Sequence, residues 1–430
     1  MEKSVSCWGK AGQRSAARSA MVEAATQFQK GLDQLALLPD DPERQRQELE
    51  VCSALGAVLN TLKGHAAPDT GRAYSRAQQL WEQLGSPSEF VQVPYGLARY
   101  HLYRGRLDVA MRLDEDLLRL SRQRSDSAGL LLGHFSCGLD LMFTGRFALS
   151  RSHLEAELAL YDPNSHCSLE YRVRAHPYVN SQAVLGMVLF CLGYPDRAWA
   201  RSNAAIAEAR ILAHPPSLAV ALALGARLLS VVGDDAVLGE WVDQLVAVTT
   251  EQGFPFWRAQ GTIYRGWLKV KNGDVVEGIS LLRSGSAAYR ATGAELWVPH
   301  FVALEASACE TAGQIEKALA LLDDALHVAG RTGECWFAAE LNRYKGELLL
   351  RQGHFDASEE LYRKALSIAE EQEAKLWELR AAMSLARLRR DQGRWAEARD
   401  LLAPVYEWFT EGFDTPDLKK AKALLEALDK

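Results

Sequence analysis

With 430 residues the chain is long enough for two or three globular domains, or for one elongated array that escapes the usual domain size. Its 48% hydrophobic and 24% charged residues are those of a folded chain and exclude a disordered one. A net charge of −6, with Arg interleaved among Glu and Asp, leaves no basic stripe for nucleic acid.

Residues 1–50 read as a degenerate first repeat, with Ala20 near its turn and Val22-Glu23-Ala24-Ala25 opening its second helix. The first twenty residues lack an apolar core, so no secretory leader is expected there. Residues 51–160 carry Gly64, Gly105 and Gly145, each preceded seven positions earlier by a small residue: Ala57, Ala98 and Gly138. Residues 161–180 form an insertion that stretches the next interval to 48 residues. From 181 to 415 glycine recurs every 40 residues, at 193, 233, 273, 313, 353 and 393. Such a period marks an array of one supersecondary unit. Residues 416–430 form a charged amphipathic helix suited to capping the last unit.

The unit around Gly353 shows what repeats. Residues 341–351 carry apolar side chains at helical spacing, Gln352-Gly353-His354 breaks the pattern, and residues 355–369 resume it. Glycine is the residue expected where the first helix ends in a left-handed conformation. Seven residues before each turn stand Gly186, Ala226, Gly266, Ala306, Gly346 and Ala386, and five after come Ala198, Gly278, Ala318 or Ala398. Small side chains at both places let two helices approach closely. The fold class is therefore all-α, a right-handed superhelix of about ten antiparallel helical hairpins with a concave groove. The unit resembles the tetratricopeptide repeat, whose usual period is 34.

Several phrases carry a more specific resemblance: Lys63-Gly64-His65-Ala66-Ala67-Pro68 with Tyr74-Ser75-Arg76-Ala77, Tyr161-Asp162-Pro163, and Gly193-Tyr194-Pro195-Asp196-Arg197-Ala198. Glu251-Gln252-Gly253-Phe254-Pro255-Phe256-Trp257 and the tail from Leu401 through Thr415 continue it. Together they resemble the C-terminal tetratricopeptide-like region of bacterial regulators that join an adenylate cyclase or kinase-like domain to a signal-transduction P-loop ATPase. The resemblance implies a sensor or scaffold arm. No Gly-x-x-x-x-Gly-Lys-[Ser/Thr] occurs in this chain, and Gly9-Lys10 and Lys345-Gly346 do not complete one. Without that loop nothing cradles nucleotide phosphates, so cyclase or ATPase activity is not expected of this chain.

Two clusters hold the candidate binding residues. The insertion contains Asp162, His166, Cys167 and His176, residue types that ligate metals. Adjacent His and Cys chelate poorly, and a recognition loop or plain linker is the better reading. Trp257, Trp297, Phe337 (beside Trp336) and Trp377 recur at the 40-residue period, sixteen positions before a turn glycine. Such a column either grips a ligand on the concave face or packs one hairpin on the next. Glu359-Glu360 and Glu370-Glu371 read as solvated helix faces. The longest apolar stretch, residues 183–193, is too short to cross a bilayer, and seven scattered cysteines read as reduced thiols. The expectation is a cytoplasmic, non-enzymatic chain without metal, cofactor, nucleic-acid or membrane partner, which binds a protein, a peptide or a small effector.

Overall fold

The computed structural model of the chain describes residues 2–18, 20–166, 169–173 and 176–429. Among them every regular element is helical, and successive helices pair into antiparallel hairpins. The first four hairpins are α1 (Glu2–Ala17) with α2 (Met21–Leu35), α3 (Pro42–Lys63) with α4 (Pro68–Gln83), α5 (Gln92–Tyr103) with α6 (Leu107–Arg124), and α7 (Ser127–Phe143) with α8 (Phe147–Leu160). Two short helices follow, α9 (Pro163–His166) and α10 (Leu169–Val173). Then come α11 (Pro177–Cys191) with α12 (Pro195–Ile211), α13 (Pro215–Val232) with α14 (Asp235–Glu251), and α15 (Pro255–Lys271) with α16 (Val275–Ala291). The last hairpins are α17 (Val298–Thr311) with α18 (Ile315–Thr332), α19 (Ala338–Arg351) with α20 (Phe355–Glu371), and α21 (Lys375–Asp391) with α22 (Trp395–Glu407). A final helix, α23 (Pro416–Leu428), packs on α21 and α22.

Local chemistry starts and stops these helices. Proline opens α11, α12, α13 and α15 in the first turn, where its missing N–H leaves no bond unmade. Asp41, Asp126 and Asp234 accept from the amides of Arg44, Gly129 and Val237 at 2.8, 3.1 and 3.2 Å. At the end of α19, Gly353 takes φ +85°, its amide bonds to Leu350 O at 3.0 Å, and the His354 amide bonds to Leu349 O at 3.0 Å. This pair of bonds satisfies carbonyls that the helix end would otherwise strand.

Within a hairpin the small residues permit backbone contact. A Cβ added at Gly266 would lie 2.8 Å from both Gly278 O and Leu282 N across the α15–α16 interface. The second helix of each hairpin lies outside and buries one face; in α20 only Ser358, Tyr362, Ala365 and Ala369 are buried. The first helices line the interior. Contrary to the expectation from residues 183–193, Pro215–Val232 is apolar and long enough to cross a bilayer by length and composition, with mean hydropathy 1.6. Yet 67% of it is buried inside the protein, as befits a core helix.

Rotations between neighbouring hairpins accumulate. After five hairpins the array has come round, and later hairpins lie against earlier ones. The Glu295 amide donates to Tyr103 O at 2.8 Å, and the Cys335 and Trp336 amides donate to Phe143 O at 2.7 and 3.1 Å. Further along the seam Arg197 Nε meets Glu411 Oε2 at 2.7 Å, and the Gly412 amide donates to Asp196 Oδ2 at 3.0 Å. Arg380 draws α13, α19 and α23 onto α21 by bonding Val231 O, Glu340 and Asp417 at 2.8, 3.0 and 2.7 Å. The groove expected to lie open is therefore narrowed to a closed centre wherever the two turns meet.

One buried carboxyl makes stability depend on pH. Glu157 on α8 is 0% exposed, and among the described residues no cation pairs with it. Burial pushes its carboxyl up to about 8, against the pull of the Ser181 hydroxyl. Between its ordinary value of 4.5 and about 8, the folded chain holds a proton that the unfolded chain has released. This contribution is complete below pH 4.5 and is lost as pH rises through about 8. Glu157→Gln imitates the neutral form, so a plot of Tm against pH for that variant should fall less steeply across this window than for wild type.

Candidate functional site

The inner helices of both superhelical turns converge on a central cavity of about 60 Å³. From the first turn α3 supplies Asn60 and Thr61, α5 supplies Tyr95, Arg99 and Tyr103, and α10 supplies Val173. Val184 of α11 and Leu224 and Arg227 of α13 continue the wall, and Trp257 and Trp297 close it from the second turn. The wall is mostly apolar, and two guanidiniums are set into it.

The two arginines are in different electrostatic states. Arg99, 3% exposed, meets Asp114 of α6 through Nη2 and Asp140 of α7 at 3.3 Å. Burial and the neighbouring Asp114 push the Asp140 carboxyl well above the usual carboxylate range. One guanidinium thus faces two carboxyls whose shared burial disfavours ionising both. Arg227 is 0% exposed and gives Nη2 to Gln260 Oε1 at 2.7 Å, while Nε and Nη1 make no close hydrogen bond among the described residues. Among the described residues no carboxylate stands within ion-pair distance of it. The Tyr264 hydroxyl faces it from α15. Its guanidinium lies 3.6 Å from the centre of the Trp297 ring, an arrangement that satisfies its face but none of its N–H groups.

Trp297 itself is held under strain. Its φ is +68°, a left-handed conformation that a bulky residue seldom adopts. Both carboxyl oxygens of Glu334 take its amide, at 3.1 and 3.0 Å, and Glu334 Oε1 also accepts from Trp336 Nε1 at 2.8 Å. Burial pushes Glu334 up to about 7, opposed by these N–H bonds and by the charge of Arg227. Burial, with the positive charge of Arg99, drives His65 down to about 3; His300 falls well below its ordinary value through burial and Arg227. Both rings are therefore neutral, and among the described residues no ion pair compensates Arg227 in the cavity, although the Glu334 carboxyl interacts with its charge.

The residues expected from sequence fall in several places. Trp257 and Trp297 line the cavity. Trp377 is fully buried 6.0 Å from Phe190 of the first turn, with Phe337 5.6 Å away on the other side. Trp297 likewise meets Phe143 at 4.5 Å, so the aromatic column runs along the seam between turns. In the insertion, His166 Nδ1 accepts the Asp162 amide at 3.1 Å and its Nε2 lies 3.3 Å from Ser127 Oγ. Asp162 Oδ2 accepts from Ser165 Oγ at 2.6 Å, and His176 Nε2 lies 2.9 Å from the Tyr161 hydroxyl. Cys167 lies outside the described residues. Among those described, no three metal-ligating side chains gather. These bonds shape the insertion, which lays α10 against α3 and α5 on the concave side.

Arg99, Arg227 and Glu334 were missed from sequence. The readable signal was a single charge inside an apolar run, as in Leu222-Ala223-Leu224-Gly225-Ala226-Arg227-Leu228-Leu229. An arginine buried in such a helix needs a partner or a purpose.

The tetratricopeptide repeat family matches residues 337–407, which cover the hairpins α19–α20 and α21–α22. An uncharacterised protein of Rhizobium meliloti (strain 1021) is 24% identical over 393 residues, 90% of this chain and 38% of that protein. The chain thus spans well under half the length of this relative. A Rap protein solved in complex with competence and sporulation factor superposes with a TM-score of 0.60 at 12% identity, over 86% of this chain and 99% of that one. A STAND protein with a tetratricopeptide repeat sensor from Pyrococcus horikoshii matches at TM-score 0.45 and 14% identity, over 90% of this chain and 54% of that one. The chain is a tetratricopeptide-like helical-repeat scaffold.

Proposed function

We propose that the chain is a non-catalytic sensor arm of a bacterial signalling or regulatory system, working in the cytoplasm, that binds an effector or a segment of a protein at its concave centre. One observation carries this reading: the central cavity takes its walls from both superhelical turns, so whatever binds there bears on how the turns close. The likeness to a Rap protein holding competence and sporulation factor is in keeping with a ligand at such a place. The test is the melting temperature of the full chain with the low-molecular-weight and macromolecular fractions of extract from the cells that make it. A binder raises Tm by mass action. No rise with either fraction, together with no retained partner, would end the reading.

A second reading is favoured by the length of the Rhizobium relative, of which this chain matches 38%. In it the repeats are the regulatory region of an adenylate cyclase or ATPase-type signalling enzyme. Copurification with a nucleotide-hydrolysing chain, whose activity changes when the repeats are added, would favour it; separate purification with no such change would count against it.

A further inference from the structure

The unpaired charge of Arg227 narrows the class of effector, an inference that rests on the sensor reading above. A guanidinium has five N–H donors in a planar fork. Among the described residues Nη2 of Arg227 is engaged by Gln260, the Tyr264 hydroxyl stands beside the guanidinium, and the residue is 0% exposed. The Arg99 triad shows how this fold neutralises a cation when it needs only structure: two aspartates are placed beside it. Arg227 receives no such partner among the described residues. Its surroundings are nevertheless built with care. The Trp297 ring centre lies 3.6 Å from it, in a residue whose backbone conformation Glu334 fastens through two bonds. Strained residues and unpaired buried charges persist where a function holds them.

We propose that the central cavity binds a short-chain organic carboxylate, its oxygens on the unpaired N–H groups of Arg227 and its apolar body against Val184, Leu224 and Trp257. The planar fork matches a carboxylate in charge and geometry. Size sets the length of the ligand. A cavity of about 60 Å³ holds more than one water and is small for a ligand site, which favours a short chain such as butyrate. An extended peptide does not fit in the closed state.

The test uses the full chain with sodium acetate, butyrate, octanoate and phosphate, each against sodium chloride at matched ionic strength. Butyrate at roughly 100-fold its Kd should raise Tm by a few degrees and alter tryptophan fluorescence. Acetate should act more weakly, and octanoate and phosphate no more than chloride. Arg227→Met should fold, melt close to wild type without ligand, and lose the butyrate response. Arg227→Lys keeps the charge and stem but not the fork, so butyrate should bind it at least ten-fold more weakly; this variant carries the test if Arg227→Met does not fold. The proposal is overturned if butyrate does no more than chloride in wild type, if phosphate matches butyrate, or if Arg227→Lys binds as tightly as wild type. Should butyrate fail while a cell fraction still raises Tm, the carboxylate is withdrawn and the sensor reading stands.

Discussion

Arg99→Met is expected to destabilise the chain by about 3–5 kcal/mol, the effect of removing one partner from a buried ion pair. The guanidinium is 3% exposed and holds Asp114 and Asp140, which are 0% and 1% exposed. Methionine fills much the same volume, so the loss comes from carboxyls left without their counter-charge and not from a void. Both must then be protonated in the fold, and the loss should therefore be smaller at acid pH. Urea midpoints at neutral and acid pH test this. The contrast with Arg227 is the informative part: two arginines on one wall, one with carboxylates and one without, should respond differently to the same substitution. Equal losses would mean that Arg227 is as structural as Arg99.

Gly266→Leu is expected to cost about 3 kcal/mol or more, at the upper end of overpacking effects. The first atom of the new side chain would already sit 2.8 Å from Gly278 O and Leu282 N. These are backbone atoms of a neighbouring helix, so no rotamer change relieves the clash and the α15–α16 hairpin must open. Both cavity-lining Trp257 and the seam residue Phe256 stand on α15, which carries the damage to the centre. Glu371→Gln, on the exposed end of α20, should change the stability read from urea unfolding by no more than about 0.5 kcal/mol. Equal midpoints for the two variants would contradict the helix register described above.

The hairpins were legible because each depends on signals within one repeat. Gly353 ends its helix, and Gly266 opposes Gly278 within a single interface, so both are readable at a fixed interval. A second series at the same period, Gly253, Gly293 and Gly333, marks the turns between hairpins; all three have positive φ, and Glu373 continues the series with φ +54°. The superhelical closure was not legible. It arises from the rotation of each hairpin on the next, a fifth of a turn at a time, and no residue pattern records it locally. Trp297 and Trp377 looked like a column along one wall because their period is visible, whereas Phe143 and Phe190, which meet them, lie in repeats far away in sequence. Arg227 and Glu334 acquire meaning only once those turns meet, since helix α13 brings one and the loop before α19 brings the other.

Closure of the second turn onto the first is the claim on which the cavity depends, and native-state hydrogen exchange at the amides of Glu295, Cys335 and Trp336 tests it most directly. These amides lie in turns between hairpins, which in an open array would exchange as freely as exposed loops. Here they donate to Tyr103 O and Phe143 O across the seam. Slow exchange at all three, comparable to that of the inner helices, is the expected result. Exchange as fast as in an unprotected loop would show that the turns stand apart and that no closed centre exists.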